Sequence, residues 1–407
     1  LGYIMSEEPW FSKTSSVNYL KLKASWGQTG NSNIRGQEQW STFTYLANEN
    51  LSYNGQPILY QQKLANPDLQ WEVASTVEGG IDIGLFNDRI TSSLTYYNKL
   101  TTKALLLIAI QASSGIETLN FYSNVGKIRN WGLEYELNTY NIKKKNFSWT
   151  TSLNLAYNKN KLLDVGTATP DALDGGFGDI RAILGSEVGT NYIVKFDHVD
   201  QATGRPIWLD KDGKQTFIYN VADDRVAAGS VLPDVVGGIT NSFTYKNLDL
   251  SFLFSFVLGG KIYDDAAKRQ LGVITDDWNY FPEVFNRWRQ PGDNAELPRL
   301  TRTMLNWGGN DNPYQNNSSL WLYDDTYLRL RNLTIGYNFK LKSKFIHSLR
   351  AYVSGTNLFV WTKYHGWDPE VARDRENEQQ RNIGGTNVTY LTPPQETSYV
   401  FGINVEF

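Results

Sequence analysis

The residues able to do covalent or metal chemistry are few and scattered. His198, His347 and His365 are the only imidazoles, they fall in separate segments, and cysteine is absent. No Ser/His/Asp spacing points to a nucleophilic site, and thiolate catalysis, disulfides and zinc–thiolate centres are excluded. Asp210-Lys211-Asp212-Gly213 resembles a calcium turn but lacks the spaced third acid and distal Glu of an EF-hand loop. A plain Asp-Gly turn is the better reading, and calcium in the loops is the one cofactor left open. Aromatic chemistry is abundant, with 13 Trp, 24 Tyr and 19 Phe against 2 Met. Trp40, Tyr45, Tyr53, Trp208, Trp278, Trp307 and Trp321 lie between the periodic segments. Such rings could stack on sugars or peptides, or meet a partner that covers the molecule; equally, they could pack the loops on themselves. The chain is read as a non-enzyme.

What positions these rings is a series of alternating segments. The last is the cleanest: Tyr399, Phe401, Ile403, Val405 and Phe407 are apolar, while Gly402, Asn404 and Glu406 between them are small or polar. Period two marks a strand with one apolar and one wet face. The pattern recurs over Val17–Gly27, Glu72–Leu85, Arg89–Asn98, Asn130–Asn138, Asn146–Asn158, Val235–Tyr245 and Leu248–Leu258, and Leu1–Met5 reads as the end of one more strand. In Asp325–Lys340 alternation is good only from Leu333 onward, and in Leu349–Trp361 it loses phase near Asn357. A one-residue slip over 146–158 would turn several Asn and Ser side chains to the apolar side, so register is strongly specified.

These are about ten strands, most of them longer than those of a soluble sandwich. Tight turns at Asn87-Asp88, Lys143–Lys145, Lys246-Asn247 and near Lys342–Ser348 alternate with long loops over 28–70, 100–123, 160–233, 263–324 and 362–395. Strands able to cross a bilayer at a tilt, with short turns at one end and long loops at the other, describe an all-β, transmembrane antiparallel β-barrel. No apolar run approaches the ~20 residues of a membrane-spanning helix. A net charge of −3 argues against a nucleic-acid partner. Arg373–Glu378 is a mixed-charge run of the kind found on solvated loops.

Several motifs add a family likeness. Ser25–Asn31 (SWGQTGN), Asn66–Glu72 (NPDLQWE), Gly80–Leu85 (GIDIGL) and Asn124–Gly132 (NVGKIRNWG) resemble the SusC/RagA family of TonB-linked outer-membrane transporters. Arg287-Trp288, Pro298-Arg299, Tyr327–Thr334 (YLRLRNLT), Gly355–Phe359 (GTNLF) and Tyr364–Glu370 (YHGWDPE) continue the series in the family's order. The resemblance implies a barrel of about 22 strands with a plugged lumen, of which residues 1–407 are the C-terminal portion. On this expectation the N-terminal plug and first strands are absent from the chain. The resemblance further implies import of oligosaccharides or oligopeptides across a Gram-negative outer membrane, energised by TonB, under a SusD-like surface lipoprotein lid. Tyr399, Phe401, Ile403, Val405 and Phe407 are similar to a barrel-assembly signal. The rival readings are a structural or binding subunit of an envelope complex and an outer-membrane hydrolase. A small barrel closed by pairing Val400–Phe407 with Val17–Gly27 would contradict the missing-portion expectation.

Overall fold

The computed structural model describes all residues except 12–15, 32–44, 48–51, 54–55, 58–59, 64–65, 110–112, 114–119, 167, 169–179, 273–278, 301–312, 315, 342–344 and 371–387. Eleven strands form one antiparallel wall: β1 (Gly2–Ile4), β2 (Val17–Asn31), β3 (Glu72–Leu85), β4 (Ile90–Ala109), β5 (Asn120–Lys144), β6 (Phe147–Asp164), β7 (Val235–Tyr245), β8 (Leu248–Leu258), β9 (Tyr327–Phe339), β10 (Ser348–Thr362) and β11 (Ser398–Glu406). Each strand pairs only with its neighbours in sequence, so the wall is an up-and-down meander. Among the described residues β11 pairs with β10 alone and β2 with β1 and β3, so the small closed barrel does not form.

Short turns follow β3, β5, β7 and β9, and long segments follow β2, β4, β6, β8 and β10. The β3–β4 turn holds Phe86, Asn87 and Asp88 at φ 56, 55 and 58°, a left-handed run that an Asn-Asp pair tolerates best. Lys246 at φ 54° makes the tight β7–β8 turn. The basic turn at Lys143–Lys145 is tighter than its sequence suggests, because Lys143 and Lys144 still belong to the β5 ladder.

The phase losses in the last strands are one bulge. Leu330 faces Phe359 and Asn332 faces Thr356, so Arg331 opposes both Asn357 and Leu358. Asn357 takes φ 53°, the left-handed conformation for which Asn is suited. The β8 ladder skips Arg331 as well. Side chains before the bulge therefore alternate out of phase with those after it, as the sequence pattern does.

Loop boundaries need correction. Much of 100–123 is ladder: β4 continues to Ala109 and β5 begins at Asn120. Bulges between Thr102 and Ala104 and between Ala104 and Leu106 shift the register there, and Ala104 and Leu106 become buried. The alternation fades because these extensions pack against other protein, not because the strands end. Likewise β2 runs to Asn31, and two-stranded pairings (Tyr45–Ala47 with Tyr60–Lys63, Ser52-Tyr53 with Gln56-Pro57) interrupt 28–70. Within 160–233 a five-stranded sheet joins Ile180-Arg181, Thr190–Val199, Pro206–Leu209, Gln215-Thr216 and Arg225–Ser230. A three-stranded sheet joins Lys261–Asp264 and Leu322–Asp324 to Val388-Thr389 from the segment after β10, and the helix Asp265–Gly272 lies within 263–324. We call this long-loop assembly the canopy.

The two regions bury different things. In the canopy, Ile193, Tyr263, Leu271, Tyr314 and Trp321 share one core. On one face of the wall, Trp26, Val77, Phe359, Trp361, Phe401 and Ile403 stay exposed, an apolar surface that water would not tolerate at this extent. Rings on that face join edge to edge: Trp149 stacks on Phe243 (5.4 Å), Phe243 on Phe252 (6.0 Å), Phe252 meets Phe254 (5.6 Å), and Phe254 meets Trp361 (6.0 Å).

Candidate functional site

The opposite face of the wall is polar and cross-linked by charge. Lys23 on β2 reaches Asp82 on β3 at 2.8 Å and Ser93 on β4 at 2.9 Å. Gly80 makes room for that crossing, since a Cβ there would lie 2.5 Å from the Lys23 side chain. Gly132 does the same for the Tyr97 ring, whose hydroxyl donates to Asn158 at 2.6 Å. Arg350 on β10 grips Asp249 on β8 with two bonds of 3.1 and 2.6 Å, the forked geometry that gives Arg–carboxylate pairs their directionality.

Further from the short turns, ion pairs from the upper ends of the wall strands hold the canopy down. Lys159 on β6 bonds Glu187 in the canopy at 2.8 Å and Asp234 at the foot of β7 at 2.6 Å. Arg329 on β9 pairs with Asp368, both side chains 3% exposed, and its Nε lies 3.0 Å from Glu370. Arg331 forks onto both Glu370 oxygens at 2.6 and 2.8 Å. Asp368 is also held by the amides of Glu370 (2.9 Å) and Gln395 (3.0 Å). Two arginines from one strand thus fasten the segment that follows β10 back over the polar face. Two motifs in the sequence, Tyr327–Thr334 and Tyr364–Glu370, contained these residues; their pairing across the bulge was not readable from them.

Nearer the short turns the polar face is open. A cavity of about 340 Å³ is lined by Asp88, Thr91, Asn138, Ser152, Thr240 and Ser242, hydroxyl and amide groups with one carboxylate. Groups of this kind can hold a polar protein surface or a hydrated solute by many weak bonds and have no nucleophile–base geometry.

The expected ring sites fare differently. Trp208 and Trp321 are 0% exposed, which corrects the reading of both as surfaces for a substrate or lid. Trp208 meets Phe196 and Tyr219 edge-on at 5.8 and 5.2 Å, and Trp321 donates to the Pro313 carbonyl at 3.0 Å. Both serve the alternative, packing the loops on themselves. Their neighbourhoods adjoin, because Ser319 Oγ accepts from the Phe196 amide at 2.9 Å and the Tyr219 hydroxyl donates to the Asn317 carbonyl at 2.8 Å. Trp40, Trp278, Trp307 and the Arg373–Glu378 run lie outside the described residues, and Tyr45 opens a short strand facing Lys63. Tyr53 is exposed. Tyr399, Phe401, Ile403, Val405 and Phe407 all project from the apolar face, exposed by 67, 77, 69, 41 and 80%.

Asp210 Oδ1 accepts from the amides of Asp212 (2.9 Å) and Lys214 (2.8 Å), so this carboxylate closes its own turn. No group of three or more His, Asp or Glu that could hold a metal occurs among the described residues. The notable titrating group in the canopy is Asp264. Burial pushes its carboxyl above the ordinary range, against the opposing bonds from the Tyr364 hydroxyl (2.7 Å) and the helix-capping Ala267 amide (3.0 Å). Burial, then the charge of Asp264, drives the Tyr364 hydroxyl upward in turn.

Comparison with known proteins bears on the whole arrangement. The profile of the family described as TonB dependent receptor-like, beta-barrel matches residues 10–358. A TonB-dependent receptor of Formosa agariphila is 30% identical over 430 aligned residues, spanning 99% of this chain and 41% of its own. The TonB-dependent receptor SusC of Bacteroides thetaiotaomicron is 27% identical over 389, spanning 91% of this chain and 37% of its own. Among solved structures, that of the RagAB peptide transporter aligns with all of this chain and 43% of its own at a TM-score of 0.82 and 23% identity, a likeness of fold. The chain spans about two-fifths of the length of the curated relatives it matches.

Proposed function

Because the chain belongs to the TonB-dependent receptor-like β-barrel family, whose named members are receptors and transporters rather than enzymes, we propose that it forms wall and canopy of a SusC/RagA-type outer-membrane importer. The observation that carries this reading is the two-faced wall. One face offers lipid a band of exposed rings, and the other carries paired charges and hydrogen-bonding groups suited to a wet lumen. The canopy, fastened over the polar face by Arg329 and Arg331, then lies outside the cell, and the short turns face the periplasm. In this proposal the edges of β1 and β11, which carry no second ladder among the described residues, are where the wall meets the rest of a barrel.

The cargo in this proposal is an oligopeptide or oligosaccharide, captured beneath a SusD-like lipoprotein and released inward by TonB acting through a plug. The fold likeness to a peptide transporter supports the peptide arm, and the similarity to SusC supports the presence of a lid. Tyr399–Phe407, with its outward rings, serves as the assembly signal.

The test is a deletion strain supplied with defined oligopeptides or oligosaccharides as sole nutrient, together with affinity purification of the full-length protein from outer membranes. Loss of growth on one class, restored by the gene, and co-purification of a surface lipoprotein are expected. Unchanged uptake of both classes by an outer-membrane-located protein would remove the importer reading and leave a structural subunit. Hydrolysis of the supplied oligomer by the purified protein would restore the hydrolase.

A further inference from the structure

The apolar face of the wall contains a polar notch at β5–β7. Thr139 Oγ1 donates to Asn141 Oδ1 at 2.9 Å, Asn141 Nδ2 to Thr151 Oγ1 at 2.7 Å, and Thr151 Oγ1 to Asn241 Oδ1 at 2.7 Å. Trp149 Nε1 donates to the same Asn241 oxygen at 2.9 Å. An indole nitrogen can only donate, so the orientation of the Asn241 amide is fixed with its oxygen saturated. Its NH2 group has no hydrogen-bond partner among the described residues. In hydrocarbon such a donor is strongly unfavourable unless something accepts from it. By register Asn241 lies in the outward row of Phe243 and Tyr245, Thr151 in that of Trp149 and Phe147, and Thr139 opposite Thr151, while Asn141 is the extra residue of a bulge beside them.

A cationic rim lies directly below. Lys144 pairs with Phe147, which pairs with Tyr245, so Lys144 is on the same outward face. Lys145 sits in the β5–β6 turn and Lys246 in the β7–β8 turn. The two turns touch through the Lys246 amide, which donates to the Asn146 carbonyl at 2.9 Å. Lys144, Lys145 and Lys246 are exposed, none takes part in an ion pair among the described residues, and Lys246 rides over the Tyr245 ring at 5.4 Å. Asn241 is four residues above Tyr245, about 10 Å along the barrel axis at a 3.4 Å rise and 40° tilt. Between the two levels stand Trp149 and Phe243, and the ring track continues through Phe252 and Phe254. Cations at the rim, one unsatisfied donor a headgroup's depth inside it and rings beyond form the order of chemistry found along one phospholipid.

We propose that this face of β5–β7 holds one anionic phospholipid of the periplasmic leaflet, its phosphate on Lys144, Lys145 and Lys246 and a glycerol-ester carbonyl on the Asn241 amide. The inference rests on the membrane-wall reading above and adds a specific ligand site to it. Lysines near an anionic headgroup each favour it about fivefold, enough for discrimination by headgroup.

Native mass spectrometry of the full-length protein from micelles with equimolar phosphatidylglycerol and phosphatidylcholine provides the test. The expected result is one retained phosphatidylglycerol, favoured about fivefold or more over phosphatidylcholine. The triple variant K144Q/K145Q/K246Q should bring that ratio near unity, whereas K211Q/K214Q in the canopy should leave it unchanged. N241L should lower retention of both lipids about threefold while keeping their ratio. An unchanged ratio in the triple lysine variant, or unchanged retention in N241L, overturns the site. Displacement by millimolar inorganic phosphate overturns the ester contact and leaves a simple anion site, and occupation by a co-purifying protein overturns the lipid. Heat-modifiable gel mobility, equal in every variant, shows that each barrel is folded. If the wild-type protein is not recovered from membranes, it is the wall reading that falls.

Discussion

Wall and canopy are built from the same chain by opposite means. In the wall, main-chain ladders hold neighbouring strands and side chains of one face remain exposed; in the canopy, side chains such as Trp208, Tyr263 and Trp321 are fully enclosed. The wall therefore draws its stability from backbone hydrogen bonding and from the medium on its apolar face, and the canopy from a packed core of the soluble kind. Identical residue types have different worth in the two places. A Trp at 361 faces the surrounding medium, whereas a Trp at 321 fills a core.

Substitution should separate them. The largest effect is expected where the regions are joined. Asp368→Ala takes from the buried Arg329 the closer and more enclosed of its two carboxylates, leaving only Glu370, and should cost about 3 kcal/mol, whereas Asp82→Ala, on the partly exposed Lys23 pair, should cost about 1 kcal/mol or less. Unfolding of the full-length protein in detergent measures both, and equal losses would mean that the clamp is not the junction described.

Next, Trp321→Ala should cost about 3–5 kcal/mol and open the canopy to protease. The heat-modifiable gel shift of the wall should survive it. If canopy and wall melt together in this variant, the two are one cooperative unit. Phe254→Arg, on the outward ring track, should cost about 2–4 kcal/mol in a bilayer and much less in soft detergent micelles. Equal cost in both media would remove lipid from the account of that face.

A finer contrast lies inside the canopy. Trp321→Phe removes the donor to the Pro313 carbonyl and should cost about 1 kcal/mol more than Trp208→Phe, whose indole nitrogen has no hydrogen-bond partner among the described residues. Smallest is a pH effect. Asp264 has its folded pKa raised by burial, so ionisation disfavours the fold. Stability from this group is greatest below the ordinary carboxylate value and declines as pH rises through the elevated folded value. Asp264→Asn should therefore gain on the wild type as pH rises across that window, and protease resistance of the canopy against pH reads the change. A constant difference between the two proteins would assign Asp264 a structural role without titration.

The wall was readable because its signal is local. Leu153, Leu155 and Tyr157 against Asn154 and Asn158 fix a face without knowledge of any partner, and even the bulge left a mark as the lost phase near Asn357. The pattern failed where strands rise out of the two-faced environment: Ala104 and Leu106 are packed by protein, so period two no longer describes them. In the canopy the determining contacts are distant in sequence, as in the Phe196 amide bonded to Ser319, and no window of a few residues contains both ends. The same limit applied to the tryptophans. Composition identified Trp208 and Trp321 as large rings outside the alternating segments, but exposure depends on partners such as Tyr219 and Tyr314, which only the fold brings near.

The strictly sequential order of the wall also has a kinetic consequence. Its ladders close between consecutive strands, and the β3–β4, β5–β6, β7–β8 and β9–β10 hairpins close over short turns, the tightest at Lys145-Asn146 and Lys246-Asn247, so loop-closure entropy is small at those steps and larger where a long segment intervenes. The bonds joining residues more than a hundred positions apart, Phe196 to Ser319 in the canopy and Arg350 to Asp249 across β9 in the wall, gain nothing until the strands between them are in place. A chain of this kind zips hairpin by hairpin and closes its cover last, so pulse-labelled hydrogen exchange during refolding should protect Phe243 and Leu253 amides before those of Ile193 and Val194.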